Sequence, residues 1–329
     1  MIFERTPIFE FDPAHPHCHA SVILELPNGE LMAVWYAGKA EAHKTVGIKA
    51  SWKPISGGTW STPILIHKTP GIPDGNMIIV WYHDQLHMYF NTIHFPMFPW
   101  SNTKLRHMIS NDFGRTWSEP ELILNDPGFT VRNKALLIGD RMLIPVGRER
   151  IIKEWSYCLI TENGKDYHLS QPIYLPKGNN IQPTIVQLGN GYILAYLRTD
   201  QDGIYSTVST DKGETWSPPQ KVDLVAPNAA LDMVRTKKGE LILIFNNLPK
   251  KGGWAESRRA IHVGYSADEG AHWRIIKEIE RNTANGQLCY PAIIQGSDGL
   301  FHATYTRNRK NIGYLKFDLD WLIRGSNNE

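Results

Sequence analysis

The chain has 329 residues, with 35 basic against 33 acidic side chains and a formal net charge of +2. At 42% hydrophobic and 21% charged it is a folding chain, not a disordered one, and its charges form no concentrated basic stripe, which argues against nucleic acid as a partner. No run of 18 apolar residues is present, so no membrane-spanning helix is expected. The opening Met1-Ile-Phe-Glu-Arg-Thr6 lacks the basic, apolar and small segments of a secretory leader, so a cytoplasmic location is expected. Cys18, Cys158 and Cys289 are too few for a disulfide framework.

In chain order, short runs rich in β-branched and aromatic residues read as strands. A lone segment, Arg5–Phe9, comes first. Sets of three follow: Ser21–Leu26, Leu31–Tyr36 and Val46–Ser51; Asn76–Trp81, Leu86–Asn91 and Leu105–Ser110; Lys134–Ile138, Met142–Val146 and Ser156–Ile160. The second half continues with Pro183–Leu188, Tyr192–Leu197 and Ile204–Ser209; Leu231–Arg235, Leu241–Asn246 and Ile261–Ser266; Pro291–Gln295, Leu300–Tyr305 and Ile312–Phe317. No stretch holds a helical period. After the third run of most sets the chain turns a corner of one type. Ser110-Asn-Asp-Phe-Gly-Arg-Thr-Trp117 recurs as Ser209–Trp216 and Ser266–Trp273, with degenerate copies at Ser56–Trp60 and Thr161–Tyr167. Asp-x-Gly is turn chemistry: the carboxylate accepts from backbone N–H groups and the Gly supplies a positive φ.

Five sets continue past the corner into a fourth strand. The sixth runs out of chain near Trp321, and Arg5–Phe9 resembles the missing strand. A circular array closed by its own N-terminal strand, with Thr6–Phe9 pairing on the last set, explains both and leaves no open edge. The expected fold is all-β, a six-bladed β-propeller of four-stranded antiparallel blades forming one domain over residues 1–329.

In such a ring the start of every innermost strand and the end of every second strand lie on one face, beside the central channel. The starts supply His17, His19, Asn76, Asn133, Lys134, Gln182, Asn228, Asp232 and Tyr290. The ends supply Lys39, Glu41, His43, Asn91, His94, Arg148, Arg150, Arg198, Asp200, Asn246, Asn247 and Arg307. His15, His17 and His19 alternate along one face, but no carboxylate or thiol cluster completes a ligand set. No metal and no cofactor are therefore expected. The stretch His94-Phe-Pro-Met-Phe-Pro-Trp100 reads as an aromatic loop suited to stacking a sugar, to packing on its own blade or to a subunit contact.

The Ser-x-Asp-x-Gly-x-Thr-Trp corner resembles the Asp-box of the sialidase (neuraminidase) superfamily, and the opening His19-Ala-Ser-Val-Ile-Leu-Glu-Leu-Pro-Asn-Gly-Glu-Leu31 looks like a divergent branch of it. The resemblance implies that Asp112, Asp211 and Asp268 form turns and take no part in catalysis. It places Tyr290 at the nucleophile position and Arg198 at one of three carboxylate-gripping arginines. It also exposes departures. Gln182 stands where a Glu should polarise the tyrosine, His17-Cys18-His19 replaces the first-blade arginine, and no Arg stands near His262–Gly264, so that Arg258 or Arg259 would have to arrive by another route. Glu41 falls on the acid/base loop.

The catalytic candidates are thus Tyr290, Asp232 (as a replacement base beside the phenol), Glu41 and His19. Arg198, Gln182, Asn133, Lys134, Asn76, Asn228, Asn246 and Arg307 are candidates for binding substrate. The resemblance implies a sialidase-like carbohydrate-active enzyme, an exo-acting glycoside hydrolase on an acidic or uronic-acid-containing oligosaccharide or glycoside. A β-eliminating lyase of the propeller type and a non-catalytic glycan- or protein-binding propeller are the alternatives.

Overall fold

The computed structural model describes residues 1–94, 97–250, 254–283 and 286–324. Six antiparallel sheets form a β-propeller. Blade one runs outward through His17–Glu25, Glu30–Gly38, Gly47–Pro54 and Ile64–His67, and blade two through Asp74–Tyr82, Gln85–Ile93, Thr103–Ser110 and Glu121–Leu124. Blade three splits its innermost strand into Phe129–Val131 and Leu136–Ile138, both paired with Arg141–Glu149, and continues with Glu154–Thr161 and His168–Leu169. The predicted run Lys134–Ile138 is therefore shorter, because Arg132, Asn133 and Lys134 leave the ladder there. Blade four comprises Asn180–Gln187, Ile193–Thr199, Ile204–Ser209 and Gln220–Lys221; blade five comprises Asp232–Arg235, Leu241–Phe245, Ala260–Ser266 and Ile275–Arg281.

Blade six contains Leu288–Gln295, Phe301–Arg307 and Asn311–Phe317, and its outermost strand is Phe3–Pro7 from the other end of the chain. The closing register runs from Phe3↔Phe317 to Pro7↔Gly313, with one further bond from Ile8 N to Ile312 O (2.8 Å). The pairing begins before the predicted Thr6, because side chains anchor the first residues: Phe3 stacks on Trp321 at 4.2 Å and Glu4 meets Lys316 at 2.6 Å.

The corners are built as the turn chemistry requires. In blade four, Asp211 Oδ1 accepts from Thr215 N (2.9 Å) and from Ser209 Oγ (2.8 Å), while Thr215 Oγ1 donates to Oδ2. Gly213, at φ +90°, closes the loop by donating its N–H to Ser209 Oγ (2.8 Å). Asp112 and Asp268 repeat the pattern. In the degenerate third corner Asn163 substitutes through Oδ1, and Tyr167 Oη reaches Gly164 O. All these corners join third to fourth strands, on the face away from the strand ends considered below. Cores between blades are aromatic and aliphatic, with Trp35, Tyr36, Phe90, Phe245 and Phe301 fully buried; each such side chain contributes about 1.5–3 kcal/mol by leaving water.

One device prepares the opposite face. The innermost strands of blades one, four and six each slip register once, at His19/Val22, Ile181/Thr184 and Cys289/Ala292. Each bulge holds a non-glycine residue in the left-handed region: Ala20 (φ 58°), Gln182 (φ 52°) and Tyr290 (φ 56°). Bulges re-aim side chains, and strained residues persist only where their surroundings hold them. Two of the three are the polar residues Gln182 and Tyr290.

Candidate active site

The side chains at the channel mouth enclose a cavity of about 490 Å³, lined by Glu41, Trp100, Glu149, Glu154, Ile181, Gln182, Arg198, Asn228, Arg258, Gln287, Tyr290 and Arg309. Every blade contributes. Arg198, at the end of the second strand of blade four, organises the floor. Its Nη1 donates to Gln182 Oε1 (2.8 Å) and to Tyr290 Oη (3.0 Å), and its Nε donates to Asn228 Oδ1 (2.6 Å). The Gln182 bulge is braced from blade three, where Asn133 Nδ2 donates to the carbonyls of Gln182 and Pro183 (both 3.0 Å). Under Tyr290 lies His19, its ring 4.1 Å from the phenol ring and its Nδ1 3.0 Å from Thr306 Oγ1. Burial, and then the charges of Arg309 and Arg258, hold His19 well below the usual imidazole range, so it is neutral.

Two further guanidiniums join Arg198. Arg258, from the long connection of blade five, donates to Asn228 O, and its guanidinium carbon is 5.7 Å from the centre of the Tyr290 ring. Arg309 sits in the hairpin turn of blade six, where Asn308 (φ 55°) and Arg309 (φ 57°) are both left-handed. Its Nη1 donates to Glu41 Oε2 at 2.5 Å and lies 3.4 Å from His17 Nε2. Burial and the charges of Arg198 and Arg309 all lower the Arg258 pKa, so the three cations feel one another. Crowded like charges on a half-sealed wall favour an anionic ligand, and planar guanidiniums suit a carboxylate.

The cavity also holds carboxyl groups from blade three. Glu149 and Glu154 are directly opposed in the last rung before the hairpin tip. Glu149 is 8% exposed and accepts from Thr130 Oγ1 at 2.9 Å. Burial and the neighbouring Glu154 push its carboxyl up to about 7. Glu154 is raised too, by burial, against the lowering effect of Arg198.

Of the residues expected from sequence, Tyr290, Arg198, Gln182, Asn228 and Glu41 meet at this cavity, and His19 supports it from below. Others serve the scaffold. Asp232 does not meet the Tyr290 phenol, which corrects its expected position as a base. Its Oδ1 accepts from Thr184 Oγ1 (2.8 Å) and Met233 N (2.9 Å), its Oδ2 accepts from Ile293 N (2.9 Å), and Lys134 Nζ bridges both oxygens at 2.7 and 2.8 Å. That buried ion pair ties blades three, four, five and six together, so Lys134 is likewise engaged away from the cavity. Asn246 spends its amide on the carbonyls of Ala260 and Leu288. Arg307 turns outward to Glu280 (3.0 Å), because alternation along its strand points it away from the channel. Asn76 is buried and does not line the cavity. In the loop after His94, Phe95 and Pro96 lie outside the described residues, while Trp100 does reach the cavity wall.

Sequence reasoning missed Arg309, Glu149, Glu154 and Gln287. Glu149 had a legible signal: Arg148 and Arg150 flank it, and in a strand the middle residue faces the opposite side. Arg148 packs over Phe129 (4.8 Å) and pairs with Asp126 (3.2 Å), leaving Glu149 to the cavity.

Residues 29–303 match the family described as the BNR repeat-like domain. The chain belongs to that family. Among curated relatives, the anhydrosialidase of Macrobdella decora is 21% identical over 260 residues, which is 70% of this chain and 33% of that protein. This BNR repeat-like chain thus spans about a third of the length of the curated relative it matches. Its fold is that of several solved structures: the Hadza microbial sialidase Hz136 (15% identity, TM-score 0.81, 97% of this chain and 69% of that one) and the NanB sialidase of Streptococcus pneumoniae (13%, 0.77, 96% and 71%). A protein of unknown function from Dyadobacter fermentans is similar over nearly its whole length (16%, 0.78, 96% and 98%). No helix among the described residues is long and apolar enough to cross a membrane.

Proposed function

We propose that this BNR repeat-like protein is a glycosidase of sialidase-like type that releases a single acidic sugar from the end of a glycan. The observation that carries the reading is the convergence of Arg198, Arg258 and Arg309 on one small cavity around Tyr290. Three guanidiniums offer a carboxylate several charge-assisted, planar hydrogen bonds in a site partly shielded from water. The cavity suits one monosaccharide, and Trp100 gives its wall an apolar face for a sugar ring. Tyr290 is the nucleophile, its ring pinned by His19 below and its oxygen fixed by Arg198. Arg198 sits between the carboxylate grip and the reacting oxygen.

Gln182 favours a second reading, β-elimination of a uronic acid. An amide beside the phenol takes no proton from it, and Asp232 is committed elsewhere, so no carboxylate base among the described residues touches Tyr290 Oη. The deciding experiment offers the protein sialylated oligosaccharides, oligosaccharides ending in a uronic acid and oligosaccharides whose internal uronic acid is substituted at O4, and follows reducing ends together with ultraviolet absorbance. Hydrolysis releases the acidic sugar with no change in absorbance, and elimination creates an absorbing unsaturated uronate. Tyr290→Phe should abolish turnover on the responding substrate while the variant stays folded. Full activity in that variant would end the assignment of Tyr290.

A further inference from the structure

The cavity contains more carboxyl groups than its cation-lined floor needs, and they are unequally engaged. Glu41 has both oxygens occupied, Oε1 by the Tyr36 hydroxyl (3.1 Å) and Oε2 by Arg309. It anchors Arg309 and has no oxygen spare for a leaving group. His19 is sealed beneath the phenol. Glu149 differs. Thr130 holds its Oε1, no donor among the described residues reaches Oε2, and the side chain lines the cavity with Tyr290 and Arg198. Its rung partner Glu154 lines the same cavity. Two adjacent carboxyl groups in a poorly hydrated wall do not both ionise readily, so one keeps a proton.

We infer that Glu149 is the proton donor to the departing glycosidic oxygen and that Glu154 is a positioning residue whose charge keeps the proton on Glu149. The inference rests on the glycosidase reading and adds the acid that reading leaves unassigned. The bond between the anomeric carbon and the aglycone oxygen breaks, and its electron pair stays on that oxygen. The Glu149 proton moves to the same oxygen, so a neutral alcohol departs and Glu149 becomes a carboxylate. Tyr290 Oη forms the new bond to the anomeric carbon and its proton passes to solvent. In the second half-reaction water attacks the anomeric carbon and gives its proton to Glu149, while the released phenolate regains one from solvent. A carboxyl displaced by burial and by Glu154 to about 7 is suited to this exchange at neutral pH.

An acid assists only leaving groups that need a proton, and the test uses that. The probes are 4-nitrophenyl and methyl glycosides of N-acetylneuraminic acid and of glucuronic acid. On the methyl glycoside of the sugar that wild type cleaves, Glu149→Gln should lose on the order of 10²–10⁴-fold in kcat/KM. On the nitrophenyl glycoside kcat/KM, which reports the first half-reaction, should fall less than about tenfold, and its fall on the alkaline side of pH 7 should vanish. The glutamine amide keeps the acceptor for Thr130, and a thermal melt verifies that the variant is folded. Glu154→Gln should move the alkaline fall to lower pH and so lower the rate at pH 7 more than the rate at acid pH. Equal losses on both glycosides, or an unchanged pH profile in both variants, would overturn the role of Glu149 and leave the glycosidase reading standing. Failure of wild type to cleave any of the four would overturn that reading and the proton donor with it.

Discussion

Replacing Glu149 by Gln should make the protein more stable at alkaline pH, and the amount follows from its surroundings. The carboxyl is 8% exposed and stands against Glu154, and these two influences, burial first, raise it from 4.5 to about 7. The native state therefore holds a proton between about pH 4.5 and 7 that the unfolded chain has already lost. By linkage, the stability associated with that proton is fully present below about pH 4.5 and is lost as pH rises through 7. A displacement of that size corresponds to about 3 kcal/mol. The amide that Glu149→Gln introduces never ionises and preserves the acceptor that Thr130 Oγ1 uses.

The difference in unfolding free energy between variant and wild type should thus be near zero at pH 4.5 and grow to about 3 kcal/mol in the variant's favour by pH 8. Urea unfolding of both proteins at several pH values between 4.5 and 8 measures it, because the remaining titrations largely cancel in the difference. The repulsion between Glu149 and Glu154 is already contained in that figure, so the ionisation of Glu154 adds no further gain. A pH-independent difference, or a variant that is less stable at pH 8, would refute the argument that Glu149 carries a buried, charge-opposed carboxyl.

Two further outcomes test the scaffold. Asp211→Ala removes the acceptor for Thr215 and Ser209 in an exposed corner and should cost roughly 1–2 kcal/mol in chemical unfolding while turnover per folded molecule is retained; a stable but inactive variant would place the working face on the wrong side. Deleting residues 1–11 opens the edge of Asn311–Phe317 and removes the Phe3–Trp321 stack, which should lower the melting temperature by about 10 °C; an unchanged melt would deny that the N-terminal strand closes the ring.

The fold was legible because it is written repeatedly. Three corners carry an Asp, a Gly and a closing Trp, two more are degenerate copies, and each set of strands alternates turn residues with apolar runs, so noisy copies reinforce one another. Closure was legible from a deficit at one end and a surplus at the other. The channel face was legible in part, since the rule that selects strand ends found Gln182, Arg198, Asn228 and Tyr290. It misjudged residues whose chemistry is decided by neighbours from other blades. Asp232 looks like a free carboxylate in sequence, yet Lys134, Thr184 and the backbone N–H groups of Met233 and Ile293 consume it. Sequence distance carries no trace of that saturation.

The arginines show the same limit from the other direction. The first blade begins with His17-Cys18-His19 where a carboxylate-gripping arginine would be sought, and its absence argues locally against an acidic substrate. Space reverses the argument. The backbone carbonyl of Arg309 accepts from Cys18 N (2.8 Å), so the hairpin turn of blade six is stitched to that same strand, and the Arg309 guanidinium lies against His17. A cation thus reaches the first blade from its neighbour across the ring closure, from a turn whose two left-handed residues, Asn308 and Arg309, bring the side chain to the cavity. Glu41 then acquires a different meaning. Reached by Arg309 and by the Tyr36 hydroxyl, it steadies that cation, and under the proposed glycosidase reading the proton for the leaving group comes from elsewhere in the wall. Position in a motif assigns Glu41 an acid's role; the hydrogen bonds assign it an anchor's, and they leave Glu149 as the carboxyl with an oxygen to offer.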